Sequence, residues 1–491
     1  MTDIISKLRK FFLSRTFMLL VALIAGVFVS LGAEVASMVF FAVLIAFILI
    51  VCDDIVATTL PFLLLCASVL QCYNFIETNI KGNEMFYISL GIPVAIFVVF
   101  AFFYHFIKYR QGFKIGKSFY GIVAVAVAVT FGGIGSISAK EYFGGASLYY
   151  IAGLGIGMVV CYLLIKSQLE IPRDYDLHEK FSDIMCIAGL FLCFFMVEIY
   201  IENFVALKRV TEIGLLDFVK DPEKYVWTIS GANEYMLQPG NNISTMLMLF
   251  MPFAFFKAAK SKKHIYHLIT AFLMLATIVL SRSRGGIYLG TVEFVLCLVA
   301  YSFMAKDKAS KIVGWSLVAC AAAVGAFAVL GFDLVDRTKA VIDALIKEMN
   351  EPGGSESRVG LLVGAIENFK ESPIFGKGLG FIDPELMQYY SGKTGTIQWY
   401  HMMIPQIIGS MGIVGVLAYG YQIIGRISAV IKKFSPYVLT LGLSYLGMLL
   451  MSQVNPGEFC PLPYELMVVM LFILIEKEPD REKSKKLIKG E

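Results

Sequence analysis

Apolar runs of about 17–25 residues, the length of a bilayer-crossing helix, recur from end to end of the chain. They predict helices over 16–32, 35–52, 55–73, 86–107, 119–137, 147–166, 183–203, 243–259, 265–281, 286–304, 312–331, 403–424, 436–453 and 462–476. The expected fold is therefore all-α, a polytopic membrane helical bundle of about 12–14 transmembrane helices. Composition agrees. Of the 491 residues 58% are hydrophobic and 16% charged, against about 25% charged in an ordinary soluble domain. Too little polar surface exists to cover a water-soluble globule. No cleavable leader is expected, since the first apolar run has no clear cleavage pattern.

Basic residues fall in alternate joints between these runs. Lys7, Arg9 and Lys10 begin the series, followed by Lys108, Arg110, Lys114 and Lys117. Lys257, Lys260, Lys262 and Lys263 continue it, then Lys306, Lys308 and Lys311, then Arg426, Lys432 and Lys433. With fourteen helices all of these lie on one side, which the positive-inside bias makes cytoplasmic. Both termini are then cytoplasmic, and 477–491 is a Lys-rich cytoplasmic tail on a single integral membrane domain.

Two long loops are expected on the opposite, extracytoplasmic side, over 204–242 and 332–402. Long loops without a span of their own tend to be functional. In the second, Val335, Val341, Ile342, Leu345 and Met349 recur at helical spacing, as do Val359, Leu362, Ile366 and Phe369 before Pro373. Both amphipathic helices are expected to rest on the membrane surface or to cap the bundle. Most of the nine Cys fall inside apolar runs as small core residues, leaving Cys460 as the one expected exposed thiol.

The same side collects the cations that change the picture. Arg282 and Arg284 lie in Ser281-Arg282-Ser283-Arg284-Gly285-Gly286, Arg358 in the long loop, and His401 where that loop re-enters the bilayer. Cations on the face where Lys and Arg are usually sparse point to a bound anion, most economically a lipid diphosphate. Arg forks match phosphate oxygens, and the helix after Arg284 offers its N-terminal amides. The competing readings are snorkelling for the arginine pair, a solvated charge for Arg358 and an interfacial aromatic-belt residue for His401 beside Trp399 and Tyr400. Asn241 and Asn242 precede helix 243–259, and helix capping is the default role for one of them. The glycine-rich stretch Gly376-Lys377-Gly378-Leu379-Gly380 is an irregular turn able to approach a ligand closely. Carboxylates on this side, Glu458 among them, form no spacing specific to a base, and no metal motif is visible.

These pieces resemble the O-antigen ligase and O-antigen polymerase superfamily of bacterial envelope enzymes over residues 240–425. Ser283-Arg284-Gly285 is similar to its Ser-Arg-Gly element. Arg358 with Pro373-Ile374-Phe375-Gly376 and Gly378 is similar to its Arg…Pro-Leu-Phe-Gly-x-Gly element. His401 with Gly409-Ser410-Met411-Gly412 is similar to its His-Asn…Gly-x-x-Gly element, and Pro239-Gly240-Asn241 to an Asn before an earlier helix. Met402 stands where the family has Asn, and two arginines compete for one role.

The resemblance implies a GT-C-like, metal-independent, inverting glycosyltransferase without cofactor in the bacterial inner membrane. Its donor would be an undecaprenyl-diphosphate-linked oligosaccharide, its acceptor a glycan or lipid. Flippase and chain-length regulator proteins are candidate partners, and no nucleic acid is implied. Arg284, Arg358 and Arg282 would hold the diphosphate, with Arg284, Arg358 and His401 catalytic and Asn241 and Tyr400 positioning substrate. Two alternatives stand beside it: a transporter or flippase of lipid-linked oligosaccharide, and a noncatalytic envelope scaffold. A transporter is expected to carry charge or broken helices at mid-depth, where the predicted helices are nearly free of charge.

Overall fold

A computed structural model describes residues 2–75, 84–109, 112, 114–136, 151–208, 212, 214, 239–331, 358–379, 400, 402–455 and 457–480. The order of helices is α1 (Thr2–Phe12), α2 (Arg15–Ser30), α3 (Glu34–Val51), α4 (Thr59–Phe75), α5 (Glu84–Lys108), α6 (Lys117–Phe131), α7 (Met158–Leu169) and α8 (Leu177–Lys208). There follow α9 (Pro239–Lys260), α10 (His264–Leu280), α11 (Arg284–Met304), α12 (Lys308–Gly331), α13 (Arg358–Glu371), α14 (Met403–Lys432), α15 (Pro436–Met451) and α16 (Leu466–Lys477). No strand occurs among the described residues.

Each of the fourteen predicted apolar segments coincides with helix. Among the described residues six helices are long and apolar enough to cross a membrane: Ser89–Lys108, Ile151–Leu169, Leu177–Val205, Gly240–Lys260, Arg284–Met304 and Met403–Lys432. Large apolar side chains on α2 and α5, such as Leu23, Ile96, Val99 and Phe103, point outward. Only a lipid-like surrounding tolerates such faces. The protein is a multi-pass helical membrane bundle.

The chain divides into two compact units. The first holds α1–α5, α8–α10 and most of α11; the second holds α6, most of α7 and α12–α16.

In the first unit α9 is almost wholly buried and forms the core. The ends of α8 and α9 are pinned by polar contacts of opposite kinds. At one end Lys257 pairs with Asp183 at 2.9 Å and Glu179 at 3.3 Å, and Arg15 with Asp183 at 3.0 Å. At the other, Tyr200 donates to the Leu280 carbonyl at 2.6 Å, and Ser283 Oγ donates to Asn241 Oδ1 at 2.6 Å. The sixteen or seventeen residues between these contacts correspond to about 25 Å of helix.

The joints of this unit are fixed by buried charge. Asp54 caps the turn after α3 through the Val56 amide at 3.1 Å. Arg173 Nε lies 3.1 Å from Asp54 Oδ2, both side chains nearly inaccessible. Tyr175 donates to the same carboxylate at 2.7 Å, and burial pushes its phenol well above the usual range, so it stays a neutral donor. Arg9 adds more exposed pairs to Asp53, Asp54 and Asp174.

In the second unit α6 lies along α14, with Val125, Val129, Met411 and Ala418 at the centre. Glu476 ties one end together. It accepts from the Ser118 amide (2.7 Å), Ser118 Oγ (2.6 Å) and Tyr162 Oη (2.7 Å), and pairs with Lys166 at 2.9 Å.

Several sequence expectations are corrected here. Helix α14 runs eight residues past the predicted end at 424, so Arg426 lies inside it and not in a basic joint. Arg426 is buried and pairs with Glu458, which sequence reading placed on the opposite side. The bundle interior thus holds charge where the helices read as charge-free. On α13 Leu362 and Ile366 of the predicted stripe are exposed, as a face resting on the membrane surface would be, while Leu361 and Ala365 are buried. Cys460 is partly buried with its thiol on the Leu462 carbonyl, and among the described residues the exposed thiol is Cys320. The helix expected over 335–349 lies outside the described residues.

Removing one member of a buried pair leaves the other charge unpaired, so Asp54→Ala should cost about 3–5 kcal/mol. Arg9→Ala removes a partly exposed side chain and leaves Asp54 paired with Arg173, so it should cost less than about 1 kcal/mol. Thermal unfolding of the detergent-solubilised protein compares the two.

Candidate active site

The α10–α11 junction gathers the arginine pair. Helix α10 ends at Leu280, and Ser281 Oγ donates back to the Ile278 carbonyl at 2.7 Å. Arg282 then adopts φ 58°, left-handed and rarely taken by a residue with a Cβ. It occupies the position after a helix where Gly is normal. The left-handed step turns the chain so that Ser283 begins α11. Ser283 Oγ accepts from the Gly286 amide at 3.0 Å, the geometry of an N-cap.

Arg284 is therefore the first residue of α11, at the positive end of its dipole, and it is exposed; Arg282 is half-buried. Ser283 Oγ also donates to Asn241 Oδ1, and Ser281 Oγ shares a 2.8 Å hydrogen bond with Ser244. Small residues make this approach possible. A Cβ on Gly286 would lie 2.5 Å from Ser244 Oγ, and one on Gly240 2.5 Å from the Ser281 carbonyl. Asn241 is not the cap that the sequence suggested. Helix α9 starts at Pro239, whose fixed φ suits a first helical position, so Asn241 lies within the first turn. Its amide oxygen orients the serine between the two arginines.

The second unit holds the other motifs. Arg358 opens α13, and His401 precedes the start of α14; the Arg358 side chain and His401 lie outside the described residues. Their neighbours are firmly placed. Tyr400 is 2% exposed. Its hydroxyl accepts from Asn368 Nδ2 of α13 at 2.6 Å, and its amide donates to Gln406 Oε1 of α14 at 3.0 Å. Gln406 Nε2 in turn donates to Ser410 Oγ at 2.9 Å. Tyr400 thus links the helix that Arg358 begins to the helix that follows His401. Asn368 and Gln406 were not singled out by sequence reading. Their signal was an amide in an apolar register, which in a membrane bundle needs a partner.

The glycine-rich turn approaches backbone, not ligand. Helix α14 breaks at Gly412 (φ 58°, ψ −147°), which frees amides and carbonyls on both sides. The turn after α13 takes them up. Lys377 N and Gly378 N donate to the Gly409 and Ser410 carbonyls at 2.9 and 2.8 Å. Ile413 N and Val414 N donate to the Pro373 and Ile374 carbonyls at 2.9 and 3.2 Å. A Cβ at Gly376 would stand 2.4 Å from the Met411 nitrogen, and one at Gly412 2.5 Å from the Pro373 carbonyl. The two glycine motifs are halves of one backbone joint.

Residues 269–420 match a family model described as O-Antigen ligase. Over that segment the chain is similar to the O-antigen ligase and polymerase superfamily. The matched segment runs from α10 into α14 and includes the arginine junction, α13, the glycine joint, Tyr400 and His401; Asn241 lies before it. At family level the chemistry is glycosyltransferase-type, O-antigen ligase-like glycan transfer. No curated protein matches the chain.

Two substitutions test this domain's local structure. Gly412→Ala forces a Cβ into a glycine-only conformation against a carbonyl, and should cost about 2 kcal/mol or more. Gly420→Ala on the same helix meets nothing within 4 Å and should be neutral or stabilising by up to about 1 kcal/mol. Arg282→Gly should relieve roughly 1 kcal/mol of backbone strain. If it raises the unfolding temperature while glycan transfer falls, the Arg282 side chain serves function at a cost in stability.

Proposed function

We propose that this protein is a metal-independent, inverting glycosyltransferase of the bacterial inner membrane, working on the extracytoplasmic face. Its donor is a glycan on undecaprenyl diphosphate, and it acts as a polysaccharide polymerase or ligase. The observation that carries this reading is the arginine junction inside the matched O-antigen ligase domain. A strained arginine, an exposed arginine and a helix N-terminus meet there at one end of the first unit.

The two ends of that unit support this sidedness. Arg9, Arg15 and Lys257 pair with carboxylates at one end, and the Ser283–Asn241 contact lies about 24 Å along α9, most of the roughly 30 Å of hydrocarbon. The basic end fits the cytoplasm by the positive-inside bias, which gives the arginine junction to the outer leaflet.

In this reading the anomeric carbon loses its bond to the diphosphate and gains one to an acceptor hydroxyl oxygen on the opposite face. Arg284, Arg282 and Arg358 neutralise the departing diphosphate, the largest developing charge in the step. His401 takes the acceptor's proton. Asn241 keeps Ser283, and so the backbone between the arginines, in one orientation. Tyr400 is enclosed by α13 and α14, so its part in positioning is exerted on the chain leading to His401.

A second reading, a transporter or flippase of lipid-linked oligosaccharide, gains one observation. Arg426, Glu458 and Glu465 are buried within the second unit, where such proteins keep charge. Purified protein with a lipid-diphosphate oligosaccharide decides between them. New glycosidic bonds are expected, with Arg284→Ala slowing their formation about 10²–10³-fold, as for loss of an oxyanion-stabilising group. Ser283→Ala, which loses a cap worth about 1 kcal/mol, should slow it far less. Movement of oligosaccharide across vesicles without bond formation would support the transporter instead. In a deletion strain, single repeats on the normal acceptor would identify a polymerase, and full-length chains left on the carrier a ligase.

A further inference from the structure

The joint between α15 and α16 enters the second unit as non-α-helical chain. The two helices have 16 and 12 residues, about 24 and 18 Å of rise against about 30 Å of hydrocarbon. Irregular backbone at such depth is tolerated where protein buries it or where it lines a cavity. This joint carries Glu458 and Glu465, each at most 5% exposed. Arg426 of α14 donates to both, at 3.2 Å to Glu458 Oε2 and through Nη2 to Glu465 Oε1. Its guanidinium also lies 5.2 Å from the Tyr445 ring centre and 5.3 Å from that of Phe472.

Charge does not balance in this cluster. Two carboxylates face one guanidinium, so with both ionised one negative charge is left over in a buried site, a costly state unless neutralised. The carboxylate oxygens not used by Arg426, Glu458 Oε1 and Glu465 Oε2, have no hydrogen-bond partner among the described residues. Neither have Gln422 Oε1 and Tyr419 Oη, which are equally buried. These four residues form the polar side of one small cavity whose other walls are Ile122, Val125, Leu154 and Met158, with room for about one water-sized sphere. A proton on one carboxyl would also cancel the charge, but it would leave the cavity between the four groups unfilled. A divalent ion would overcompensate. Four oxygen donors and a single excess negative charge suit a hard monovalent cation.

We propose that Glu458, Glu465, Gln422 and Tyr419 form a binding site for one alkali cation inside the bundle, with sodium as the probe. The site is independent of the residues assigned to glycan transfer, so its test is binding and not activity. The full-length protein in detergent is unfolded thermally in NaCl and in N-methylglucamine chloride of equal ionic strength. The wild type should unfold at higher temperature in sodium, with a concentration dependence following one-site linkage. Glu465→Gln removes the excess charge and keeps an oxygen for Arg426. It should lose the sodium response and unfold in N-methylglucamine no lower than the wild type. Gln422→Leu should raise the half-saturating sodium concentration at least tenfold. Identical wild-type curves in the two salts would overturn the proposal, as would a sodium shift retained in Glu465→Gln. If that variant does not fold, an unchanged sodium response in Gln422→Leu overturns it equally.

Discussion

At Gly412 the backbone leaves the helix in the buried interior of the bundle. Every amide and carbonyl freed by that break has to be matched by protein, because lipid offers nothing in return. The turn from Pro373 to Gly378 supplies the match with four main-chain hydrogen bonds. The rest of the second unit's site side is arranged around this joint. Glycines stand at Gly376 and Gly412 because a Cβ at either would overlap the opposing backbone. Helix α13 is held where Asn368 meets Tyr400, and Tyr400 in turn fixes the entry to α14. A break that would be a liability in lipid thereby becomes the joint that holds α13 against α14.

The first unit solves a similar problem with side chains. Reversing direction between α10 and α11 leaves almost no loop, so the polar groups of the reversal are satisfied by serines and one asparagine from α9. The strain at Arg282 is tolerated because its surroundings on both sides are fixed. Strain of this kind at a charged residue is characteristic of places where a side chain is wanted despite the conformation it must adopt.

Helix positions were legible because a bilayer demands a long apolar run, and nothing else in the sequence mimics one. The match to an O-antigen ligase domain was legible from short motifs because these carry special backbone or charge, as at Ser283-Arg284-Gly285. Partners across space were not. Hydropathy averages over a window, so Arg426 read as part of a basic joint while α14 carries it on into the interior. The joint holding Glu458 read as an outer loop because sequence gives its polarity without its depth. On α13 the alternation of apolar residues exists on two faces, and only the contact with Tyr400 and Ile408 decides which one is covered. The glycines read as a ligand cradle because close approach is visible in a sequence while the identity of what approaches is not.

The pinning of α8 and α9 at both ends has a consequence for how such a protein can vary. Lys257 and Asn241 lie on one helix and have to meet partners at opposite ends of it. One inserted residue between them would rotate the far contact by about 100° and slide it by about 1.5 Å. The two anchorages therefore lock the phase of the central helix, and change in this region is restricted to substitution; insertions and deletions are diverted to the connecting chain outside it.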